Sequence, residues 1–230
     1  RGRGGSMHIA DVEKGNLGAN GIVGGGLPIA VGAALTAKRL NTGAVTVCFF
    51  GDGANNEGAF HEALNMAAVW KLPVVFFCEN NRYGMSTSTE RSTSVKQIAD
   101  RAAGYSMPGV TVDGNDFSAV AHAMQTATDR AKAGEGPSLI ESMTYRWRGH
   151  SKSDRNRYRT KDEIAEWMER DPIPRMAEML IAHGILDADS VAAMEIAADR
   201  TIAEAIEFAA NSPAPNVTDL TRDVYTRPLT

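Results

Sequence analysis

The sequence predicts an α/β domain on a mostly parallel sheet with helices on both faces, followed by a helical C-terminal part. Two observations carry this. Short apolar runs rich in Val, Phe and Ile (44–50, 73–78, 110–112, 137–143) alternate with stretches whose apolar residues recur at helical spacing. Beyond Thr160 only the helical pattern continues.

Residues 1–23 are glycine-rich and turn-like, and 24–40 read as an Ala-rich helix whose small residues allow close packing on a sheet. The run 44–50 ends abruptly at Gly51-Asp52-Gly53, as a buried strand does on meeting a turn. Over 56–71, Phe60, Leu64, Ala67 and Ala68 repeat with the period of an amphipathic helix, and 73–78 is a second buried strand. The polar stretch 82–93 reads as a loop, 95–103 as a short helix, and 110–112 as a strand closed by Asp113-Gly114. Asp116 is placed to cap a helix running to Ala133; Gly134 and Gly136 break it before the strand at 137–143. Pro172 and Pro174 open a further helix, Asp187 or Asp189 caps a long Ala-rich one to Ala210, and Pro213, Pro215 and Pro228 mark an extended tail. The expected organisation is an α/β domain over 1–159 with a helical extension over 160–230.

A chain of 230 residues with 43% hydrophobic content can bury one large core. Its net charge of -4 and pI near 5.8 argue against general nucleic-acid binding. No apolar run reaches the ~18 residues of a membrane span. Cys48 and Cys78 both fall inside predicted buried strands, where apolar packing is expected rather than a disulfide or a metal, and a reducing compartment fits. The chain opens at Arg1 and runs at once into Gly-Arg-Gly-Gly, which reads as the middle of a longer protein.

The chemistry concentrates in Gly51-Asp52-Gly53 and Asn80-Asn81, with 26 residues between them. A parallel crossover brings two such strands together with their carboxyl ends on one edge, where ligands of open parallel sheets bind. Asp52 and Asn81 then offer one anionic and one neutral oxygen. Magnesium seeks about six oxygens, usually one or two from carboxylates and the rest from phosphates, carbonyls and water. A single Asp leaves the ion with charge to bind a diphosphate, and Asn81 adds an oxygen without adding charge. Gly53 is read as clearing space for a phosphate near main-chain N–H groups, with a helix starting just after it to add a positive dipole.

Five motifs occur in order: Gly-Gly-Ser-Met-His (4–8), Gly-Ala-Asn-Gly-Ile-Val-Gly (18–24), Gly-Asp-Gly-Ala-Asn-Asn-Glu-Gly (51–58), Glu-Asn-Asn-Arg-Tyr-Gly-Met (79–85) and Arg-Gly-His-Ser (148–151). Together they resemble the alpha subunit of the thiamine-diphosphate-dependent 2-oxo acid dehydrogenases, in the pyruvate and acetoin branch, over nearly the whole chain. The resemblance implies that Asp52, Asn81 and the Tyr83 carbonyl ligate Mg2+. Gly53 and Ala54 would give N–H groups to the diphosphate, Gly21 and Val23 would touch the aminopyrimidine, and Gly51 and His150 would also lie at the cofactor. It implies decarboxylation of a small 2-oxo acid, pyruvate foremost, or cleavage of acetoin, with transfer of the acyl group to the lipoyl domain of an acyltransferase. A branched-chain 2-oxo acid is the alternative substrate. The resemblance also implies a beta subunit that carries the family's catalytic glutamate, in a heterotetramer of two alpha and two beta chains. The family's chains begin well before Arg1, with a Tyr-Arg type contact to the diphosphate there, so an incomplete subunit is expected. Glu57 stands where mitochondrial relatives have Gln, and 153–159 lacks their Pro-Gly and second regulatory serine, which points to a bacterial, cytoplasmic enzyme rather than one of the mitochondrial matrix.

His150 is the candidate for steering acyl transfer, since an imidazole can donate a proton near neutral pH; its bland alternative is a solvated loop histidine. His8 reads equally as lining the cofactor or as loop packing, His61 as structural, and Met176 and Met179 as core filling. The stretch 145–161 holds seven Lys or Arg against one Asp. It reads as a solvated mobile loop that, by resemblance, orders around cofactor and attracts an acidic lipoyl domain, with Arg146 its anchor. Ser151 matches a position phosphorylated in mitochondrial relatives and is read as a hydrogen-bonding loop residue. Two rival functions remain. A magnesium-dependent phosphohydrolase needs several convergent carboxylates, which Glu57, Glu62 and Glu79 do not obviously supply. A non-catalytic nucleotide-binding subunit needs a Gly-x-Gly-x-x-Gly after a strand, and none follows one.

Overall fold

The computed structural model describes residues 5–219, so Gly4 of the first motif and Pro228 of the predicted tail lie outside the described residues. In chain order the elements are α1 (Gly26–Leu40), β1 (Thr46–Gly51), a 3-10 turn (Asp52–Asn56), α2 (Gly58–Val69), β2 (Val74–Asn80), the strand pair β3 (Tyr83–Gly84) and β4 (Thr87–Ser88), and the single turn α3 (Thr89–Ser92). A 3-10 helix (Ile98–Tyr105) follows, then β5 (Gly109–Asp113), α4 (Phe117–Lys132), β6 (Ser138–Met143), α5 (Lys161–Met168), α6 (Pro172–Ala182) and α7 (Ala188–Asn211).

The main sheet runs β1-β2-β6-β5 with every pair parallel, as the alternation of runs predicts. Side chains on a strand alternate faces, and β2 shows it. Phe76 and Cys78 point into one core with Phe50, Leu139, Leu27 and Val31 of α1, Phe60 and Leu64 of α2, and Ile98. Val75 and Phe77 point the other way, with Ile140 and with Ala123 and Ala127 of α4. β2 is therefore apolar on both faces, which is why 73–78 reads as a continuous run and not as an alternating one.

Local rules fix the ends. Asp116 Oδ1 accepts the N–H of Ala119 at 3.0 Å and caps α4. α1 stops at Asn41, which takes the left-handed conformation (φ 52) and returns its N–H to the last turn. Cys48 and Cys78 are free and buried, and burial pushes the Cys48 thiol up to about 11.

Three readings are corrected. The stretch 82–93 is not a plain loop: it holds β3, β4 and α3, elements too short for a periodic signal. The helix read as starting just after Gly53 is a 3-10 turn there, and α2 begins only at Gly58, so the N–H groups following Asp52 belong to that turn. The helix expected at 95–103 is a 3-10 helix shifted to Ile98–Tyr105.

The chain divides into two compact units at Met176 and Ala177. Within the second, Asp187, not Asp189, caps α7, its Oδ1 accepting the Ser190 N–H at 2.8 Å. Met179 is 37% exposed, against the expectation of core filling. Among the described residues no helix is long and apolar enough to cross a membrane.

Candidate functional site

Register decides what meets at the sheet edge. Gly51 pairs with Glu79 and Asn80 with Met143, so the chain leaves β1, β2 and β6 side by side at Asp52, Asn81 and Thr144. Asp52 is 3% exposed. Burial raises its carboxyl above the ordinary 3.8, while its own main-chain N–H, that of Asn81 and the charge of Arg146 pull the other way. The two residues that the spacing singled out are thus brought together.

Each Asn of the pair has a separate task. Asn81 Oδ1 accepts the Tyr83 N–H at 3.3 Å and shapes the turn that presents the Tyr83 carbonyl. Asn80, the last residue of β2, faces inward: its Oδ1 accepts the Arg82 N–H at 3.0 Å and its Nδ2 donates to Glu141 Oε1 at 2.7 Å. Glu141 is a buried carboxylate inside β6, overlooked because its run reads as apolar. One acid in the middle of such a run is the signal that marks it.

Gly53 has an unexpected neighbour. A Cβ built on it would lie 3.4 Å from Gly84 Cα, and one built on Gly84 would lie 3.3 Å from Gly53 Cα and 3.8 Å from Asp52 Oδ2. The missing side chain lets the β3–β4 pair close over the Asp52 turn.

Arg146 joins that pair to the loop after β6. Its Nη1 donates to the Tyr83 carbonyl at 3.2 Å, and its Nη2 donates to the Met85 carbonyl at 2.7 Å and to Tyr158 Oη at 2.9 Å. Nη1 also stands 3.4 Å from His150 Nδ1. A guanidinium only donates, so Nδ1 is the accepting nitrogen and a neutral His150 carries its proton on Nε2. His150 itself is exposed.

The loop is tied down rather than loose. Asp154 Oδ2 accepts the His150 N–H at 2.8 Å and the Tyr158 hydroxyl at 2.7 Å. These bonds, the His150 N–H foremost, lower the Asp154 carboxyl to about 2. Arg159 donates to the carbonyls of Arg146, Trp147 and Arg148 and lies over the Tyr145 ring. Ser151 Oγ is 3.1 Å from Ser153 Oγ, in keeping with a hydrogen-bonding role.

The remaining candidates sit as follows. Gly21 and Val23 are exposed; a Cβ on Gly21 would lie 3.8 Å from His8 Nε2, and one on the adjoining Gly24 would lie 3.2 Å from Glu57 Cβ. Ala54 is buried in the turn after Asp52, and Gly51 is the last residue of β1. His61 is held between Tyr105 Oη and Arg101, the arrangement of a structural histidine. Among the described residues no three His, Cys, Asp or Glu side chains converge as a metal-binding group.

Comparison with known proteins gives a concordant result. The dehydrogenase E1 component family matches residues 1–218. The chain is 54% identical over 226 residues to the alpha subunit of acetoin:2,6-dichlorophenolindophenol oxidoreductase of Bacillus subtilis (strain 168), covering 98% of this chain and 67% of that one. It is 44% identical over 225 residues to the subunit of the same name in Cupriavidus necator, covering 97% of this chain and 68% of that one. It is 39% identical over 232 residues to the pyruvate dehydrogenase E1 component subunit alpha of Porphyra purpurea, covering 98% of this chain and 67% of that one.

Proposed function

Because the chain belongs to the dehydrogenase E1 component family, we propose that it is the alpha subunit of a thiamine-diphosphate-dependent dehydrogenase that cleaves acetoin. The observation that carries the site reading is the buried Asp52 beside a turn whose Tyr83 carbonyl already attracts a cation, the Arg146 guanidinium. Asp52 makes no ion pair among the described residues; main-chain N–H groups and the more distant charge of Arg146 are what favour its carboxylate. A buried carboxylate in that state is a ready ligand for a metal ion. In this reading Asp52, Asn81 and the Tyr83 carbonyl hold Mg2+. The main chain at Gly51, Gly53 and Ala54 meets the diphosphate, and Gly21 and Val23 meet the aminopyrimidine.

Bound thiamine diphosphate supplies a carbanion nucleophile and an electron sink. The chain's residues supply position and protons. Arg146 holds the loop onto the turn at 83–85 and fixes His150 Nδ1 as the acceptor, leaving the Nε2 proton for a developing alkoxide or a lipoyl sulfur. A beta subunit completes the site, and an acyltransferase lipoyl domain receives the acyl group. The basic stretch 145–161 suits an acidic domain of that kind.

Pyruvate is the second reading, favoured by relatives named pyruvate dehydrogenase at 39% to 42% identity. The test is reduction of 2,6-dichlorophenolindophenol by the chain assembled with its cognate beta subunit, thiamine diphosphate and Mg2+. Acetoin is expected to outpace pyruvate, and the chain without a beta subunit is expected to be nearly inactive. Faster turnover of pyruvate would replace the substrate assignment, and full activity of the isolated chain would overturn the subunit assignment.

A further inference from the structure

Glu141 lies inside β6, 1% exposed, in a strand with neighbours on both sides and helices on both faces of the sheet. Such a place ordinarily takes an apolar side chain, and a carboxylate is costly there unless each oxygen finds donors. Each does. Asn80 Nδ2 donates to Oε1 at 2.7 Å, and the Ala99 N–H and Thr111 Oγ1 each donate to Oε2 at 3.0 Å. The amides of Asn80 and Ala99 can only donate, so both oxygens accept. No cation pairs with it among the described residues. For stability alone an apolar residue of similar size would serve as well or better.

One arrangement connects this group to the Asp52 site. The Asn80 amide is held at both ends, by Glu141 at Nδ2 and by the Arg82 N–H at Oδ1, so Glu141 fixes the amide that closes the turn bearing Asn81 and the Tyr83 carbonyl.

We propose that Glu141 is a positioning residue for the divalent cation: through Asn80 it sets the turn at 80–83 without touching the ion. This rests on the reading of Asp52, Asn81 and Tyr83 as the cation's ligands. Outer groups that orient ligands in this way typically change metal affinity when removed, whereas a carboxylate that only braces the sheet does not.

The test is a Mn2+ titration, followed by electron paramagnetic resonance of the free ion, on the metal-stripped enzyme assembled with its beta subunit and saturated with thiamine diphosphate. Glu141→Gln and Asn80→Ala are each expected to raise the Mn2+ dissociation constant about tenfold or more. Thr111→Val, which removes one hydrogen bond to the same carboxylate and leaves the charge and Asn80 alone, is expected to lower Tm while keeping that constant within about twofold of wild type. If Glu141→Gln does not assemble, Asn80→Ala decides. Wild-type Mn2+ binding in Asn80→Ala or in a folded Glu141→Gln, alongside weakened binding in Asp52→Ala, would overturn the role of Glu141 and leave the metal site standing. Equal weakening in Thr111→Val and Glu141→Gln would reduce Glu141 to a brace and likewise overturn it. Unchanged binding in Asp52→Ala would remove the metal site itself, and this inference with it.

Discussion

The guanidinium of Arg146 rests on the main-chain oxygen of Tyr83, 3.2 Å from Nη1. Its other nitrogen holds the Met85 carbonyl at 2.7 Å, so one side chain clamps the β3–β4 pair to the loop after β6. Arg146→Ala is expected to loosen both. Calorimetry on the assembled enzyme should show thiamine diphosphate bound about tenfold more weakly in the presence of Mg2+. An unchanged dissociation constant would mean that the clamp has no part in cofactor binding.

Asp52 is buried and makes no ion pair among the described residues, and a charge in that position costs stability until a cation arrives. Asp52→Asn removes the charge and keeps the shape. In the absence of metal and cofactor its Tm is expected to rise, a gain on the order of 1 kcal/mol corresponding to about 2–4 °C in a chain of this size. The same substitution is expected to abolish metal-dependent cofactor binding. Thermal melting and calorimetry on one preparation check both, and a variant that binds as wild type would remove Asp52 from the site.

His150 is exposed and touches the clamp only through a 3.4 Å contact with Arg146. His150→Ala should therefore leave cofactor affinity nearly intact. Loss of a general acid slows its step by about 10²–10⁴-fold. Single-turnover acylation of a lipoyl domain, set beside a calorimetric titration, separates the two effects. A large loss of affinity with normal acylation would reverse the assignment.

The Asp154 carboxyl is lowered to about 2 from its ordinary 3.8, by the His150 N–H first and then by the Tyr158 hydroxyl and the Asn156 N–H. A depressed carboxylate stabilises the fold above its unfolded value and loses that contribution as pH falls through the folded one. The gap in Tm between wild type and Asp154→Asn should thus be constant from neutral pH down to about 4 and close as pH approaches about 2. Melting curves over a pH series would show it. A gap that closes above pH ~5 would mean that these bonds do not hold the carboxylate in solution.

Much of this was legible in the sequence because the signals are local or periodic. The apolar run of β2 buries both faces and stands out, and Asp116 announces a helix start by its place alone. Asp52 and Asn81 could be paired because a parallel crossover fixes where two strand ends lie. What escaped has no such signature. Two-residue strands have no period, the 3-10 turn at 52–56 shares its composition with a helix start, and Asn80 differs from Asn81 only by which side of the strand end it leaves. The loop at 145–161 reads as solvated because its seven basic residues share the stretch with a single Asp. Arg159 is held instead by three main-chain carbonyls, which composition cannot reveal.

The contact of Gly53 with Gly84 brings two peptide segments together with no side chain between them. Mutational libraries meant to widen substrate scope have little room at either position, since a methyl group on Gly84 would already press on the Gly53 main chain at 3.3 Å. Diversity belongs farther out, on the exposed side chains of the loop at 148–157, where shape can change while this corner keeps its geometry.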